Sequence, residues 1–265
     1  MTPGLPPVAA IALLHGYGEH FGRYAHVSER LAADGIVVCG RDLVGHGARA
    51  GPRGAVRRFD DYHADVAAIA ADAEKAANGA PVFLLGHSMG GLLACHWLLH
   101  HPHNVFSGLI LSSPFLGIAM RVNPVKMLLG RMLSRLAPGV SLPSEMRTED
   151  VCRDAAIRIE TDNDPLNHRV ANARWFTEAL AAIALVRSRV GELDLPTLLM
   201  YAEHDRIVDA AATQRVLQGV PSTWQSRAFP EAHHELFNEP PAERAQVFTH
   251  LLNWVQGELA ASTAR

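Results

Sequence analysis

Gly86-His87-Ser88-Met89-Gly90-Gly91 follows the apolar run Pro81-Val82-Phe83-Leu84-Leu85 and opens the helix-forming segment Leu92-Leu93-Ala94-Cys95-His96-Trp97-Leu98-Leu99. A strand, a sharp turn and a helix in that order are what a nucleophile elbow requires, and the G-x-S-x-G pattern centres on Ser88. Such a turn forces the serine into a strained backbone conformation. Its neighbours two residues away on each side must therefore lack bulk, a condition that Gly86 and Gly90 meet. The hydroxyl is then presented at the end of the strand. The same pattern also occurs in plain glycine-rich turns, and it is the flanking strand and helix that set this one apart.

Working outward, Val8 to Leu14 reads as a buried strand ending in the turn His15-Gly16-Tyr17-Gly18. Tyr24, Val27 and Leu31 fall at helical spacing up to Asp34-Gly35, and a second strand, Ile36 to Cys39, leads into a glycine-rich loop from Asp42 to Gly54. Asp60 or Asp61 can cap a long helix with the apolar face Tyr62, Val66, Ile69 and Ala73, which Asn78-Gly79 ends. The elbow strand comes next. Its helix stops at Pro102, and Leu109-Ile110-Leu111 forms a fourth strand.

The alternation breaks between Phe115 and about Val190, where helical patterns dominate and no strand is expected; an insertion on one edge of a sheet has this form. It resumes with strand Thr197 to Tyr201, helix Ala210 to Leu217, strand Thr223 to Phe229 and a closing helix from Glu243 to Glu258. Strands that are all separated by helices or by the insertion predict an α/β fold with a parallel, doubly wound sheet, whose sites lie beyond the carboxyl ends of the strands. With 265 residues and 48% hydrophobic content, one substantial core is affordable, so residues 1–265 are expected to form a single domain with a helical insertion at roughly 116–190.

Twenty-four basic against 27 acidic residues leave a formal charge of -3, which gives no electrostatic footprint for nucleic acid or strongly anionic membranes and favours neutral or weakly charged small substrates. Cys39, Cys95 and Cys152 are odd in number and lack C-x-x-C spacing, so they read as reduced core thiols of a cytoplasmic protein. Met1 to Pro7 has no basic n-region, and Val8 to Leu14 is too short to span a bilayer. None of the 15 histidines sits in an H-E-x-x-H setting. His96 and His100 stand i, i+4 on the elbow helix with no carboxylate partner evident, so no metal is expected there.

A serine hydroxyl becomes a useful nucleophile when a base takes its proton and an acid orients that base. Two strand-end segments offer them: Ala202-Glu203-His204-Asp205-Arg206-Ile207-Val208-Asp209, and Glu231-Ala232-His233-His234-Glu235. The order Ser, Asp, His is that of α/β-hydrolases. Asp205 is favoured over Asp209, which starts the next helix and suits a cap, whereas Asp194 precedes its strand at the wrong end of the sheet. Spacing alone does not separate His233 from His234. For the oxyanion, the backbone N–H of Met89 at the start of the elbow helix and that of Tyr17 in the first turn are the natural donors.

His15-Gly16-Tyr17-Gly18-Glu19-His20, Arg23-Tyr24, Asp42, Gly45-His46-Gly47, the elbow, Asp164-Pro165-Leu166, Asp205, and His234-Glu235 with Asn238-Glu239 together resemble the monoacylglycerol lipase and lysophospholipase branch of the α/β-hydrolases, among the serine aminopeptidase S33-like hydrolases. The match runs over nearly the whole chain. The resemblance implies a capped serine esterase acting on single-chain acylglycerols or related lipids, without metal or organic cofactor. It puts the catalytic histidine at His234, the acid at Asp205 and the oxyanion donors at Tyr17 and Met89. Two departures stand out. Most members carry two antiparallel strands before the strand ending in His-Gly, so a smaller sheet is expected at that edge, and Arg49 stands where a serine is usual.

Within the insertion, Val122, Val125, Leu129, Met132 and Leu136 fall at helical spacing, and Met127, Leu128 and Leu133 widen the apolar surface while Arg131 and Arg135 interleave. The plainer reading, and the favoured one, is a lid helix packed on its own core. The sharper one is an acyl-chain tunnel or transient contact with a membrane surface. Lysophospholipase, general carboxylesterase and thioesterase activities fit the same elbow. An aminopeptidase would want acidic groups for the substrate amine, for which Glu160, Asp162 and Asp164 are weak candidates. A non-catalytic hydrolase-fold receptor is the rival from another class. Oligomeric state is not legible.

Overall fold

The structure, a computed structural model, describes residues 6–119, 124–144 and 146–263. Val122 and the side chain of Val125 lie outside the described residues. Six strands, β1 (Ala9–Leu14), β2 (Ile36–Gly40), β3 (Val82–His87), β4 (Phe106–Ser112), β7 (Thr197–Ala202) and β8 (Trp224–Phe229), form one sheet in the order β2-β1-β3-β4-β7-β8, with every neighbouring pair parallel. No strand lies outside β2 among the described residues, in keeping with a sheet that is smaller at that edge.

The central strands are apolar on both faces because helices cover both. Along β1, Ala10, Ala12 and Leu14 join one core with α2 (His63–Ala77), α3 (Met89–His100) and α7 (Ala173–Arg189); Ala9, Ile11 and Leu13 join the other with α1 (Ala25–Ala32) and α9 (Pro241–Thr263). Val82 and Leu84 against Phe83 and Leu85 divide in the same way on β3. Continuous hydrophobic runs are thus two interleaved period-two patterns. Asp61 accepts hydrogen bonds from the backbone N–H groups of Arg57 and Arg58 and so holds the one-turn 3-10 helix Phe59–Tyr62 that feeds α2, and Asn78 ends α2 in the left-handed region at φ 49°.

Between β4 and β7 lie α4 (Pro124–Leu136), α5 (Thr148–Val151), α6 (Ala155–Asn163), α7 and a small antiparallel sheet made of β5 (Ser141–Pro143) and β6 (Val170–Asn172). That sheet corrects the expectation of a strand-free segment. Three-residue strands are too short to show alternation, and Pro143 and Asn172 are poor strand formers. A second correction concerns α4. Among its described side chains the buried positions are the small residues Gly130 and Ser134, and Ser134 Oγ lies 2.6 Å from Thr177 Oγ1 on α7. Leu128, Leu129, Met132 and Leu136 are 62%, 45%, 51% and 80% exposed, so much of the apolar side faces outward instead of into a core of its own. Among the described residues, no helix is long and apolar enough to cross a membrane.

The elbow brings backbone against backbone. A Cβ on Gly90 would stand 2.1 Å from the Leu14 carbonyl oxygen, and one on Gly86 would stand 2.4 Å from the Gly90 oxygen. Both obstacles are backbone, so neither can yield without moving β1 or α3. Gly90→Ala is therefore expected to cost about 3 kcal/mol or more in a urea unfolding series. Gly257→Ala, in an exposed turn of α9 where an added Cβ meets nothing, is expected to stabilise by about 0.5–1 kcal/mol. Equal effects of the two substitutions would contradict this account of the elbow.

Candidate active site

Ser88 sits between β3 and α3 with φ 53° and ψ -117°, a region in which side-chain-bearing residues are strained. Four hydrogen bonds hold it there. Its N–H donates to Ser112 O (3.0 Å), and its carbonyl accepts from Gly91 N, Leu92 N and Phe115 N at 2.9–3.1 Å. The strain is thus sustained by the sheet on one side and by the first turn of α3 on the other.

His234, in the loop after β8, has its Nε2 2.9 Å from Ser88 Oγ and its Nδ1 2.7 Å from Asp205 Oδ2. With the Nδ1 proton given to the carboxylate, Nε2 is left to accept the serine hydroxyl. The other oxygen of Asp205 accepts two backbone N–H bonds, from Ile207 and Val208, at 2.8 Å each, so the carboxylate is fixed on both sides. Burial opposes charge on His234, yet Asp205, its hydrogen bond and the more distant Glu235 and Glu19 outweigh it and raise the imidazole above its ordinary value of 6.5. Asp209 accepts from Ala211 N and caps the helix α8 (Ala210–Leu217), and His233 makes its backbone bond to Glu239. The ambiguity between the two adjacent histidines is therefore resolved geometrically: His234 is the one that reaches Ser88.

Tyr17 and Met89 line the same cavity as Ser88 and His234. Met89 is the first residue of α3, so its N–H has no acceptor within the helix and points from the positive end of the helix dipole. Tyr17 is held from several directions: its ring stacks on Trp175 at 3.6 Å, its hydroxyl donates to Gly54 O and accepts from Asn172 N, and His168 N donates to Gly18 O beside it.

Beneath that turn lies a buried charge network whose parts were visible in the sequence only as motif letters. Glu19 accepts from Gly16 N, Tyr24 Oη and Arg23, while Arg23 also donates twice to Glu235, at 2.7 and 2.8 Å, and once to Thr161 Oγ1 on α6. Burial disfavours the charge on Glu235, but the Arg23 guanidinium holds it at about 2. His20 pairs with Asp164 at 2.7 Å, a second tie between the first turn and the segment that follows β4. Arg49, unusual at its position, ion-pairs with Asp65 and donates to Asp42 O, so that loop is packed. Among the described residues Cys39, Cys95 and Cys152 are all free.

The cavity has a volume of about 550 Å³ and an apolar wall that includes Phe115, Met127, Leu129, Met146, Phe176 and Ile207. Glu19 and Glu235, the carboxylates that line it, are both spent on Arg23. The aminopeptidase candidates are committed elsewhere or turned away: Asp162 to Arg169 and Thr148, Asp164 to His20, while Glu160 lines a separate surface cavity. The arrangement offers a hydroxyl in contact with an imidazole, a base with a raised proton affinity and a largely apolar wall.

Comparison with known proteins agrees with this picture. The profile of the family described as serine aminopeptidase, S33, matches residues 6–241. The chain is 36% identical over 247 residues to phospholipase YtpA of Bacillus subtilis, covering 91% of this chain and 93% of that one. It is 30% identical over 266 residues to the monoglyceride lipase of Rattus norvegicus, covering 99% and 87%. It is also 33% identical to an uncharacterised abhydrolase domain-containing protein of Dictyostelium discoideum, but spans only 27% of that protein's length. The crystal structure of the Paleococcus ferrophilus monoacylglycerol lipase superimposes with a TM-score of 0.86 at 25% identity, with 96% of each chain covered. With its elbow, its parallel sheet and these relatives, the chain belongs to the serine aminopeptidase S33 family of α/β-hydrolases, in the monoacylglycerol lipase branch.

Proposed function

We propose that this protein is a serine hydrolase that cleaves carboxylic esters of single-chain lipids, with monoacylglycerols as its principal substrate class. The observation that carries the reading is the chain of 2.7 and 2.9 Å contacts from Asp205 through His234 to Ser88, opening onto an apolar cavity of about 550 Å³. Ser88 Oγ attacks the ester carbonyl as His234 Nε2 takes its proton, and the N–H groups of Tyr17 and Met89 receive the oxyanion. His234 then hands the proton to the leaving alcohol, and water resolves the acyl-enzyme by the same route. No step calls for a metal or an organic cofactor. A lysophospholipid is the second reading, favoured by the likeness to phospholipase YtpA; Arg147 and Arg169 stand on the wall of the same cavity, each paired with a carboxylate, Glu149 and Asp162, that a phosphate would have to displace. We also infer that residues 1–265 work as one hydrolase domain, with roughly 116–190 as its helical cap. The outward leucines of α4, with Arg131 and Arg135 between them, fit transient contact with a lipid surface.

Ser88→Ala is expected to keep the fold and lower ester turnover roughly a thousandfold or more. It should also abolish labelling by a fluorophosphonate; labelling that persists in the variant would rule out Ser88 as the nucleophile, and an unlabelled wild type would favour a pure binding protein. Because the base must be unprotonated and its pKa is raised, kcat/KM is expected to fall on the acid side with a midpoint above pH 6.5. In Asp205→Asn the surviving activity should show that midpoint moved to lower pH, because the carboxylate that favours the imidazolium is gone. Leu128→Ser with Leu136→Ser should reduce sedimentation with liposomes while turnover of a short soluble ester stays unchanged. Undiminished sedimentation would count against lipid contact through α4.

A further inference from the structure

His63 opens α2, and His96 and His100 lie one turn apart on α3, so a contact between the two helices gathers three imidazoles from 38 residues of chain. One ring nitrogen from each lies within 4.8 Å of the others. We propose that His63, His96 and His100 form a binding site for a divalent cation of the Zn²⁺ class, remote from the hydrolytic centre, that clamps the start of α2 to the end of the elbow helix.

The ring orientations support this more than proximity does. A metal-bound imidazole gives its second N–H to a carbonyl or a carboxylate, which fixes the tautomer. His100 Nδ1 donates to His96 O at 2.7 Å, leaving Nε2 as the lone-pair nitrogen. His96 turns Nε2 toward Asp60 Oδ1, 3.8 Å away, and Nδ1 toward His63 Nε2, 2.9 Å away. Asp60, beyond hydrogen-bond distance in this arrangement, is the nearby carboxylate that the sequence alone did not reveal. In a tetrahedral Zn²⁺ site with bonds of about 2.0–2.1 Å, ligand nitrogens stand about 3.3 Å apart, a separation that a small rotation of either ring supplies. His101, whose ring centroid is 5.2 Å from that of His63, or a water would complete the four ligands.

The donor set also selects the ion. Three imidazoles suit Zn²⁺, Ni²⁺ or Cu²⁺, whereas Mg²⁺ and Ca²⁺ require oxygen. His96 is eight residues along α3 from Ser88, roughly 12 Å at the helical rise, so the ion would act on stability and not on the reacting atoms.

The test is calorimetric titration of the EDTA-treated full chain with ZnCl₂, paired with thermal unfolding. The expected result is one equivalent of Zn²⁺ bound with micromolar or tighter affinity and a melting temperature raised by roughly 5 °C, with no shift in Mg²⁺. His63→Ala with His100→Ala should weaken binding at least tenfold and remove the shift, while turnover of a soluble ester is retained. Should the double variant not fold, His100→Ala alone, at an exposed position, is expected to remove most of the shift. Absence of saturable binding, or binding of unchanged affinity in whichever variant folds, would overturn the proposal.

Discussion

Arg23 is the charge on which the geometry of the site depends. Its guanidinium is buried between Glu19 and Glu235 and reaches Thr161 as well, so one group joins the turn after β1, the loop that carries His234 and helix α6. Burying an ion costs several kcal/mol, and a buried pair holds only when its remaining hydrogen-bond capacity is used. Here that capacity is used: Glu19 takes up Gly16 N and Tyr24 Oη, and Glu235 takes up Asn238 Nδ2. A lysine would keep the charge and lose the planar fork that spans two carboxylates and a hydroxyl. The cluster retains one surplus negative charge, which His234 feels, since Glu235 and Glu19 both contribute to raising its proton affinity. A structural network therefore also biases the base.

The same turn serves two masters. Gly16 must be bare, because an added Cβ would stand 2.8 Å from Glu19 Oε1 and 3.3 Å from the Ser88 Cβ. Tyr17 beside it is pinned by residues that follow β4, through Trp175 and Asn172. The backbone that faces the nucleophile is thus set from below by a salt bridge and from above by aromatic packing. In this arrangement, movement of the segment above would disturb the Gly16-Tyr17 backbone beside Ser88 as well as the cavity wall.

Six parallel strands and the elbow were legible because their signals are local: apolar runs bounded by Gly and Pro, and glycines flanking Ser88. The order Ser88, Asp205, His234 was legible because each residue follows a strand in a parallel sheet, which brings distant strand ends to one rim. Choosing His234 over His233 was not, since adjacent residues in a loop differ only by which way the backbone turns; there the family likeness supplied what periodicity lacked. The short β5–β6 pair escaped because three residues carry no period. The outward face of α4 escaped for another reason. A hydrophobic stripe says that a helix has an apolar side, but not that the side is covered, and on α4 the small residues Gly130 and Ser134 face inward in place of the leucines. Charges such as Arg23 and Glu235, 212 residues apart, gave no sign in the sequence of being partners.

His87 and His234 show how one protein environment can push two like groups in opposite directions. Their rings are 4.9 Å apart. His87 is buried with no carboxylate bonded to it; its Nδ1 donates to Ser112 O, and burial together with the neighbouring His234 lowers it to about 4. His234, equally buried, has Asp205 in contact and moves upward. Pairs of titratable groups driven apart in this way mark which one exchanges the proton. Near neutral pH His87 stays uncharged, so it adds no positive charge beside the His234 imidazole. The residue before Ser88 stays neutral because Glu19 and Glu235 offset its burial only in part, and the contact that separates the two histidines is the Asp205 carboxylate on His234.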